Sequence, residues 1–128
     1  MEEPGAPIEC INAVTLVTAD MAAAVEFYEA IGFLTIVGGA GAAFTTFRVG
    51  PTFLNLQLDP SAPSRRDVWG RIVFWVDDVD AMYARVQAAG RQPEMTPSDA
   101  PWGERYFHVR DPDGHELSFA RLLSRSSR

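Results

Sequence analysis

The sequence predicts an α+β protein built from two tandem β-α-β-β-β modules, and three observations support this prediction. Runs of alternating apolar residues and one amphipathic helix occur twice in the same order. The predicted helix N-caps Asp20 and Asp78 are 58 positions apart (78 − 20), and the helix-ending glycines Gly32 and Gly90 are separated by the same 58 (90 − 32). A repeat in constant register indicates a duplicated structural unit.

The first module covers about residues 8–58. Asp20 caps its helix and Gly32 ends it, because aspartate accepts the free amides of the first turn and glycine tolerates a positive φ. The helix carries one apolar stripe, made of Ala24, Phe27, Tyr28 and Ile31. The predicted strands are Ile11–Thr18, Phe33–Val37, Ala43–Val49 and Phe53–Leu58.

Residues 59–68 form a polar linker, and the second module covers about residues 69–122. Its helix runs from Asp78 to Gly90, with an apolar stripe of Val79, Met82, Tyr83 and Val86. The last two strands flank Asp111-Pro112-Asp113-Gly114, in which proline presets one turn residue and glycine accepts positive φ. The predicted strands are Ile72–Val76, Gln92–Met95, Tyr106–Arg110 and Glu116–Arg121.

Composition limits the function classes. The 128 residues are expected to form a single domain with an ordinary core, and the net charge of −6 disfavours nucleic acid and anionic membrane surfaces as partners. No run approaches the ~18 apolar residues of a membrane span, and the acidic start differs from a signal peptide. Cys10 is a lone cysteine, expected to be buried or inert. We therefore expect a cytoplasmic protein whose partner is a small molecule.

A motif near the end of the chain carries a family resemblance. Trp102-Gly103, Arg105 and Phe107, followed by Asp111-Pro112-Asp113-Gly114, resemble the closing motif of the vicinal oxygen chelate superfamily. That superfamily includes glyoxalase I, extradiol dioxygenases and bleomycin-resistance proteins, and the resemblance covers essentially residues 8–123. It implies a curled mixed sheet around a cleft, with the helices on the outer face. It also implies a homodimer in which each cleft takes residues from both chains.

The resemblance also identifies where metal-dependent members hold a divalent ion, with His or Gln, Glu, His and Glu as ligands. Those positions correspond to Ala13, Asn55, Arg71 and Ser118. An alanine has no lone pair and a guanidinium repels a cation, so these residues do not form the chelating set that such metals need. We therefore expect no metal and no cofactor.

Strand alternation separates an apolar, helix-facing side from a mixed side with aromatic, amide and charged residues, which is typical of a small-molecule cleft. Arg71 needs an anionic partner, either Glu116 or a ligand, and Trp102 is expected to lie in a lid. His115 is expected to be an exposed turn residue. The predicted ligand-binding residues are Thr15, Phe53, Asn55, Gln57, Arg71, Trp75, Trp102, Tyr106, His108, Glu116 and Ser118.

The favoured interpretation is a metal-free protein, similar to the bleomycin-resistance branch, that sequesters a small aromatic or cationic molecule without chemistry. Two alternatives remain open. One is a metal-dependent glyoxalase- or dioxygenase-like enzyme with relocated ligands, which would be Gln57, His108 and Glu116. The other is a metal-independent lyase or epimerase-like enzyme with Glu116 as its base.

Overall fold

Ten secondary-structure elements form two copies of one pattern in a computed structural model that describes residues 7–64 and 67–123. The first half contains β1 (Ala13–Thr18), α1 (Met21–Ala30), β2 (Leu34–Val37), β3 (Phe44–Val49) and β4 (Thr52–Leu58). The second half contains β5 (Arg71–Trp75), α2 (Val79–Ala88), β6 (Ser98–Asp99), β7 (Glu104–Arg110) and β8 (Glu116–Leu122). The linker residues 65 and 66 lie outside the described ranges.

Each half forms its own four-stranded mixed sheet. The strand orders are β1-β4-β3-β2 and β5-β8-β7-β6, so the two sheets have the same topology. In each sheet the first and last strands of the half are paired in parallel and the other pairs are antiparallel. The predicted α+β class and the duplication are confirmed, although hydrogen bonds divide the strands between two sheets.

The helix boundaries follow the predicted capping residues. The carboxylates of Asp20 and Asp78 accept hydrogen bonds from Ala23 N and Ala81 N at 3.1 and 3.0 Å. Both helices end before glycines with positive φ, +117° at Gly32 and +80° at Gly90. No helix in the described part of the chain is long and apolar enough to cross a membrane.

One predicted strand is wrong. Gln92–Met95 forms no strand, and the short edge strand of the second sheet is Ser98–Asp99 instead. Pro93 has no amide hydrogen to donate to a neighbouring strand. Only the amide of Glu94 bonds the backbone of β7, at His108 O (2.9 Å).

The helix-facing sides of both sheets share one hydrophobic core. Phe33, at the start of β2, makes edge-to-face contacts with Tyr28 on its own side and with Phe74 of the other sheet, at 5.1 and 5.2 Å between ring centroids. Phe74 in turn stacks on Phe119 at 5.4 Å. Burial of these rings on both sides of the boundary holds the two halves together, since apolar area removed from water is the main stabilising term.

The turn between β7 and β8 also connects the halves, through polar contacts. Asp111 is buried, and its carboxylate accepts the Tyr28 hydroxyl from α1 at 2.7 Å. The carboxylate of Asp113 accepts the backbone N–H of Ala19 at 2.9 Å. Burial raises the pKa of Asp111 above its usual range, and the Tyr28 hydrogen bond opposes that rise.

His115 corrects the sequence prediction that it would be an exposed turn residue. Its side chain is only 7% exposed, its Nε2 lies 2.8 Å from Val17 O, and its Nδ1 accepts the indole N–H of Trp69 at 3.0 Å. Because Nδ1 accepts a hydrogen bond, the ring proton is on Nε2, which donates a hydrogen bond to Val17 O. Cys10, by contrast, is exposed rather than buried.

We predict that Tyr28→Phe lowers the free energy of unfolding by about 1–3 kcal/mol, because it removes the donor from a buried carboxylate oxygen while keeping the ring. Chemical denaturation measures the change. The matched control is Tyr83→Phe. The Tyr83 hydroxyl accepts an exposed hydrogen bond from Gln87, so its removal should change the free energy of unfolding by less than about 0.5 kcal/mol. Equal effects of the two substitutions would contradict the proposed role of the Tyr28 contact.

Candidate ligand-binding site

The face of the second sheet that points away from the core carries alternate residues of β5, β8 and β7. On the edge strand β5, Arg71, Val73 and Trp75 are exposed. Val73 is 52% and Trp75 50% exposed, which is unusual for residues of this size. This strand therefore presents an open, largely apolar surface with one charged group at its start.

The central strand β8 lies deeper on the same face. Glu116, Ser118 and Ala120 are buried and are paired with residues of β5 on one side and β7 on the other. The register places Ala120 between Trp75 and Tyr106, and Ser118 between Val73 and His108. A ligand on this face meets the larger flanking side chains first.

Three rings follow one another along β7. Trp102 lies in the loop before the strand and stacks on Tyr106 at 6.4 Å with an interplanar angle of 23°, and Tyr106 lies 5.1 Å from His108. Trp102 is 70% exposed, and its indole N–H donates to Glu104 at 3.2 Å. Because Trp102 packs little against the core, this row of three rings exposes aromatic surface that a partner can contact.

Four charged residues close one end of this face. Arg71 binds Glu116 Oε1 through Nη2 (2.6 Å) and Nε (2.8 Å), and Arg110 binds Glu94 through its Nε at 2.7 Å. The sequence left two anionic partners open for Arg71, Glu116 or a ligand, and the structure shows the ion pair with Glu116. Glu94 was missed because the sequence prediction placed it in a strand of its own.

The two carboxyls of this cluster have pKa values displaced in opposite directions. Burial, followed by the hydrogen bond to Glu116, raises the pKa of Glu94. Burial also opposes ionisation of Glu116, but hydrogen bonds from Glu94 and Arg71 outweigh it and lower the pKa of Glu116. Glu94 is therefore the more readily protonated of the two carboxyls, and Glu116 is the more readily ionised. Next to them, burial lowers the pKa of His108, and its Nδ1 is buried without a hydrogen-bond partner among the described residues.

The corresponding face of the first sheet is organised by hydrogen bonds between side chains. Thr46 Oγ1 donates to Asn55 Oδ1 at 2.8 Å, and Asn55 Nδ2 donates to Thr15 Oγ1 at 3.2 Å. This ladder crosses β3, β4 and β1 and fixes the orientation of the Asn55 amide. Gln57 lies further along β4 and is exposed.

A pocket of about 400 Å³ lies where the starts of β1 and β4 meet the exposed strand β5. A neighbouring pocket of about 170 Å³ shares Val49, Phe74 and Trp75 with it and extends towards Phe33. The larger pocket is lined by Ile11, Ala13, Val14, Val49, Thr52, Phe53, Leu54 and Arg71–Trp75.

The predicted site residues divide among these surfaces. Phe53, Arg71 and Trp75 line the larger pocket. The pockets are also lined by Ile11, Val73 and Arg48, which were not among the predicted site residues. Alternation had placed Val73 on the correct face, but apolar residues on that face carry no signal that separates pocket walls from surface. The others lie on the first sheet (Thr15, Asn55 and Gln57), on the second sheet (Tyr106, His108, Glu116 and Ser118) and in the loop before β7 (Trp102).

The donor set does not fit a divalent metal ion. Of the positions that the resemblance assigns to ligands, Ala13 has no donor atom, Asn55 is engaged by two threonines and Arg71 is a cation. Within residues 7–64 and 67–123, no group of three or more His, Cys, Asp and Glu side chains could hold a metal ion. Hard or borderline cations need several such oxygen or nitrogen ligands together.

Two topologically equivalent βαβββ halves with a pocket beside an exposed edge strand define the class of protein, a duplicated-module α+β fold. Residues 10–119 match the family model of the Glyoxalase/Bleomycin resistance protein/Dioxygenase superfamily, and the chain belongs to that superfamily. The resemblance seen in the sequence is thereby confirmed.

Known proteins resemble this chain in sequence or in fold. CFP32 of Mycobacterium bovis, which carries a provisional glyoxylase name, is 33% identical over 94 residues, which are 71% of this chain and 36% of that protein. The chain thus spans about a third of the length of this relative. TioX from Micromonospora sp. ML1 is 27% identical with a TM-score of 0.72, covering 90% of this chain and 100% of TioX. A bleomycin resistance determinant encoded on the transposon Tn5 has a TM-score of 0.75 at 20% identity, covering 91% and 100%.

We predict that the stability of Glu94→Gln increases relative to that of the wild type as the pH rises. A raised carboxyl pKa means that the folded state holds a proton that the unfolded state releases, so Glu94 costs stability as pH rises from the ordinary glutamate pKa of about 4.3 through the raised value. Glutamine carries a permanent N–H in place of that proton. Melting temperatures from about pH 4 to about pH 8 measure the difference, and a difference that stays constant with pH would contradict the raised pKa of Glu94.

Proposed function

We propose that this protein binds a small planar aromatic molecule in the pocket beside β5, without a metal and without changing the ligand chemically. The observation that carries the proposal is the lining of the larger pocket, which is apolar and aromatic apart from Thr52 and the single cation Arg71. Pockets of this size with mostly apolar walls and few polar groups are typical of small-molecule sites. The half-exposed ring of Trp75 supplies a stacking surface, worth about 0.5–1.5 kcal/mol beyond area burial.

Family membership supports ligand binding but does not choose between binding and catalysis. The superfamily description includes a bleomycin resistance protein and two enzyme types. The structural neighbour from Tn5 is too distant in sequence to support more than the fold. The side chains at the ligand positions do not suit a metal ion, and this favours binding without catalysis. A protein that works without an ion needs only a cleft of the right shape.

The opposite pKa shifts of Glu94 and Glu116 support a second candidate, a metal-independent enzyme that moves a proton. Two carboxyls with pKa values displaced in opposite directions can divide the roles of acid and base. Glu116, however, is only 6% exposed and is bound by Arg71, so a substrate would first have to displace that guanidinium. The metal-dependent alternative, with Gln57, His108 and Glu116 as ligands, needs residues from both sheets to converge on one ion.

We also propose that the protein is a cytoplasmic homodimer. Ile11, Val73 and Trp75 border the pocket and are each at least half exposed, which is the kind of apolar patch that a partner surface covers. A second copy would enclose the open side of the pocket and exclude water from it.

The function is tested by a thermal-shift screen with planar aromatic compounds, with and without a chelator. We expect aromatic ligands to raise the melting temperature equally in both conditions, since only the native state binds them. Mass spectrometry of the recovered ligand should find it unchanged. Trp75→Ala should weaken binding by about 1–3 kcal/mol because it removes the stacking surface.

Trp102→Ala extends this test to the aromatic row on β7. If the row meets the ligand, binding weakens by a similar amount while the melting temperature of the free protein barely moves, because Trp102 is largely exposed. An equal loss of stability would mean that the indole serves packing instead. Stoichiometric Zn, Ni, Fe or Mn that a chelator removes together with an activity would favour the metalloenzyme, and conversion of the ligand without metal would favour the proton-transfer enzyme.

The dimer is tested by light scattering after size-exclusion chromatography. We expect a mass twice that of the 14.1 kDa chain. Ile11→Lys places a charge in the exposed apolar patch and should shift the equilibrium towards the monomer, since a buried unpaired charge is costly. A mass of one chain for the unmodified protein at micromolar concentration would reject the dimer.

A further inference from the structure

The two pockets are lined by positive charge in an acidic protein. The whole chain has a net charge of −6. Nevertheless, the only charged side chains that line the two pockets are Arg71 in the larger one and Arg48 in the smaller one, and neither pocket is lined by a carboxylate. The sign of the charge at the pocket is therefore opposite to the sign of the molecule as a whole.

The guanidinium of Arg71 is presented to the pocket while its partner carboxylate is not. The Arg71 side chain is 43% exposed and Glu116 is 6% exposed. Both contacts of Arg71 go to one oxygen of Glu116 through Nε and Nη2, and no described residue binds Nη1. Arginine has five N–H groups in a planar fork, so an oxyanion can approach the free edge without breaking the existing pair.

The rest of the surface near Arg71 suits a flat apolar body. Trp75 and Val73 lie on the same face of β5 as Arg71, and Phe53 lies across the pocket on β4. Arg48 lies over the Phe53 ring, with its guanidinium carbon 5.3 Å from the ring centroid. The Phe53 ring therefore already has a cation over one of its faces.

From this arrangement we infer that the ligand is an aromatic molecule with an anionic oxygen group, such as an aromatic carboxylate, whose ring lies against Trp75 and whose anion binds Arg71. This inference rests on the proposed function and specifies its ligand class. It replaces the cationic class that the net charge alone had left open, because the field at the pocket is set by the nearest charges and falls with distance.

The experiment compares three ligands with one ring system, namely naphthoate, naphthamide and naphthylmethylamine, by isothermal titration with the unmodified protein. We expect naphthoate to bind about 10–100 times more tightly than the neutral amide, as is typical of hydrogen bonds to charged groups. The cationic amine should bind more weakly than the amide. Equal or tighter binding of the amide or the amine would overturn the anionic assignment while leaving aromatic binding intact. Absence of binding by all three would overturn both this inference and the proposed function.

Substitutions then locate the anion. Arg71→Gln should remove most of the preference for naphthoate over naphthamide, and Arg121→Gln, which makes the same change of charge outside both pockets, should keep it. Because Arg71→Gln leaves the buried Glu116 without its partner, Arg71→Gln/Glu116→Gln provides a second variant in which no unpaired charge remains. A preference for naphthoate that survives in the double variant would overturn the assignment of Arg71.

Discussion

The arrangement of the two sheets depends on the hydrogen bonds that the buried carboxylate of Asp111 accepts. This carboxylate accepts the backbone amides of Asp113 and His115 at 2.9 Å each, which shapes the turn, and the hydroxyl of Tyr28, which binds the turn to the first helix. A carboxylate out of water is tolerated only when its oxygens are satisfied in this way. The contact is directional, unlike the shared aromatic core, so it specifies how the second sheet lies against the first.

The pocket exists because of that arrangement. Its walls come from the starts of β1 and β4 on one side and from β5 on the other, and these strands belong to different sheets. The sheet edges do not hydrogen-bond to each other, so their separation is set by the core beneath them and by the turn that contacts Val17 and Ala19. Side chains at the edge of β5 are left uncovered as a result, and an uncovered Trp75 is available for binding.

Arg71 lies at a position where the family resemblance places a metal ligand, but a guanidinium cannot bind a cation. Where metal-dependent relatives would place a ligand for a cation, this chain carries a permanent cation held by Glu116. Each of the two carboxyls in this cluster is bound by an arginine, Glu116 by Arg71 and Glu94 by Arg110. The cluster thus places a guanidinium beside an apolar cavity without leaving a free negative charge there.

Local signals in the sequence were sufficient to determine the repeat, the caps at Asp20 and Asp78 and the alternation that separates core from cleft, because each depends on residues close together in the chain. They also offered Glu116 as one of two possible anionic partners for Arg71, the other being a ligand, and the structure shows the pair with Glu116. Tertiary structure alone decided the burial of His115 against Val17 and the pocket between β1, β4 and β5. Each of these depends on which residues of one half meet the other half, and no periodicity within a segment records that contact.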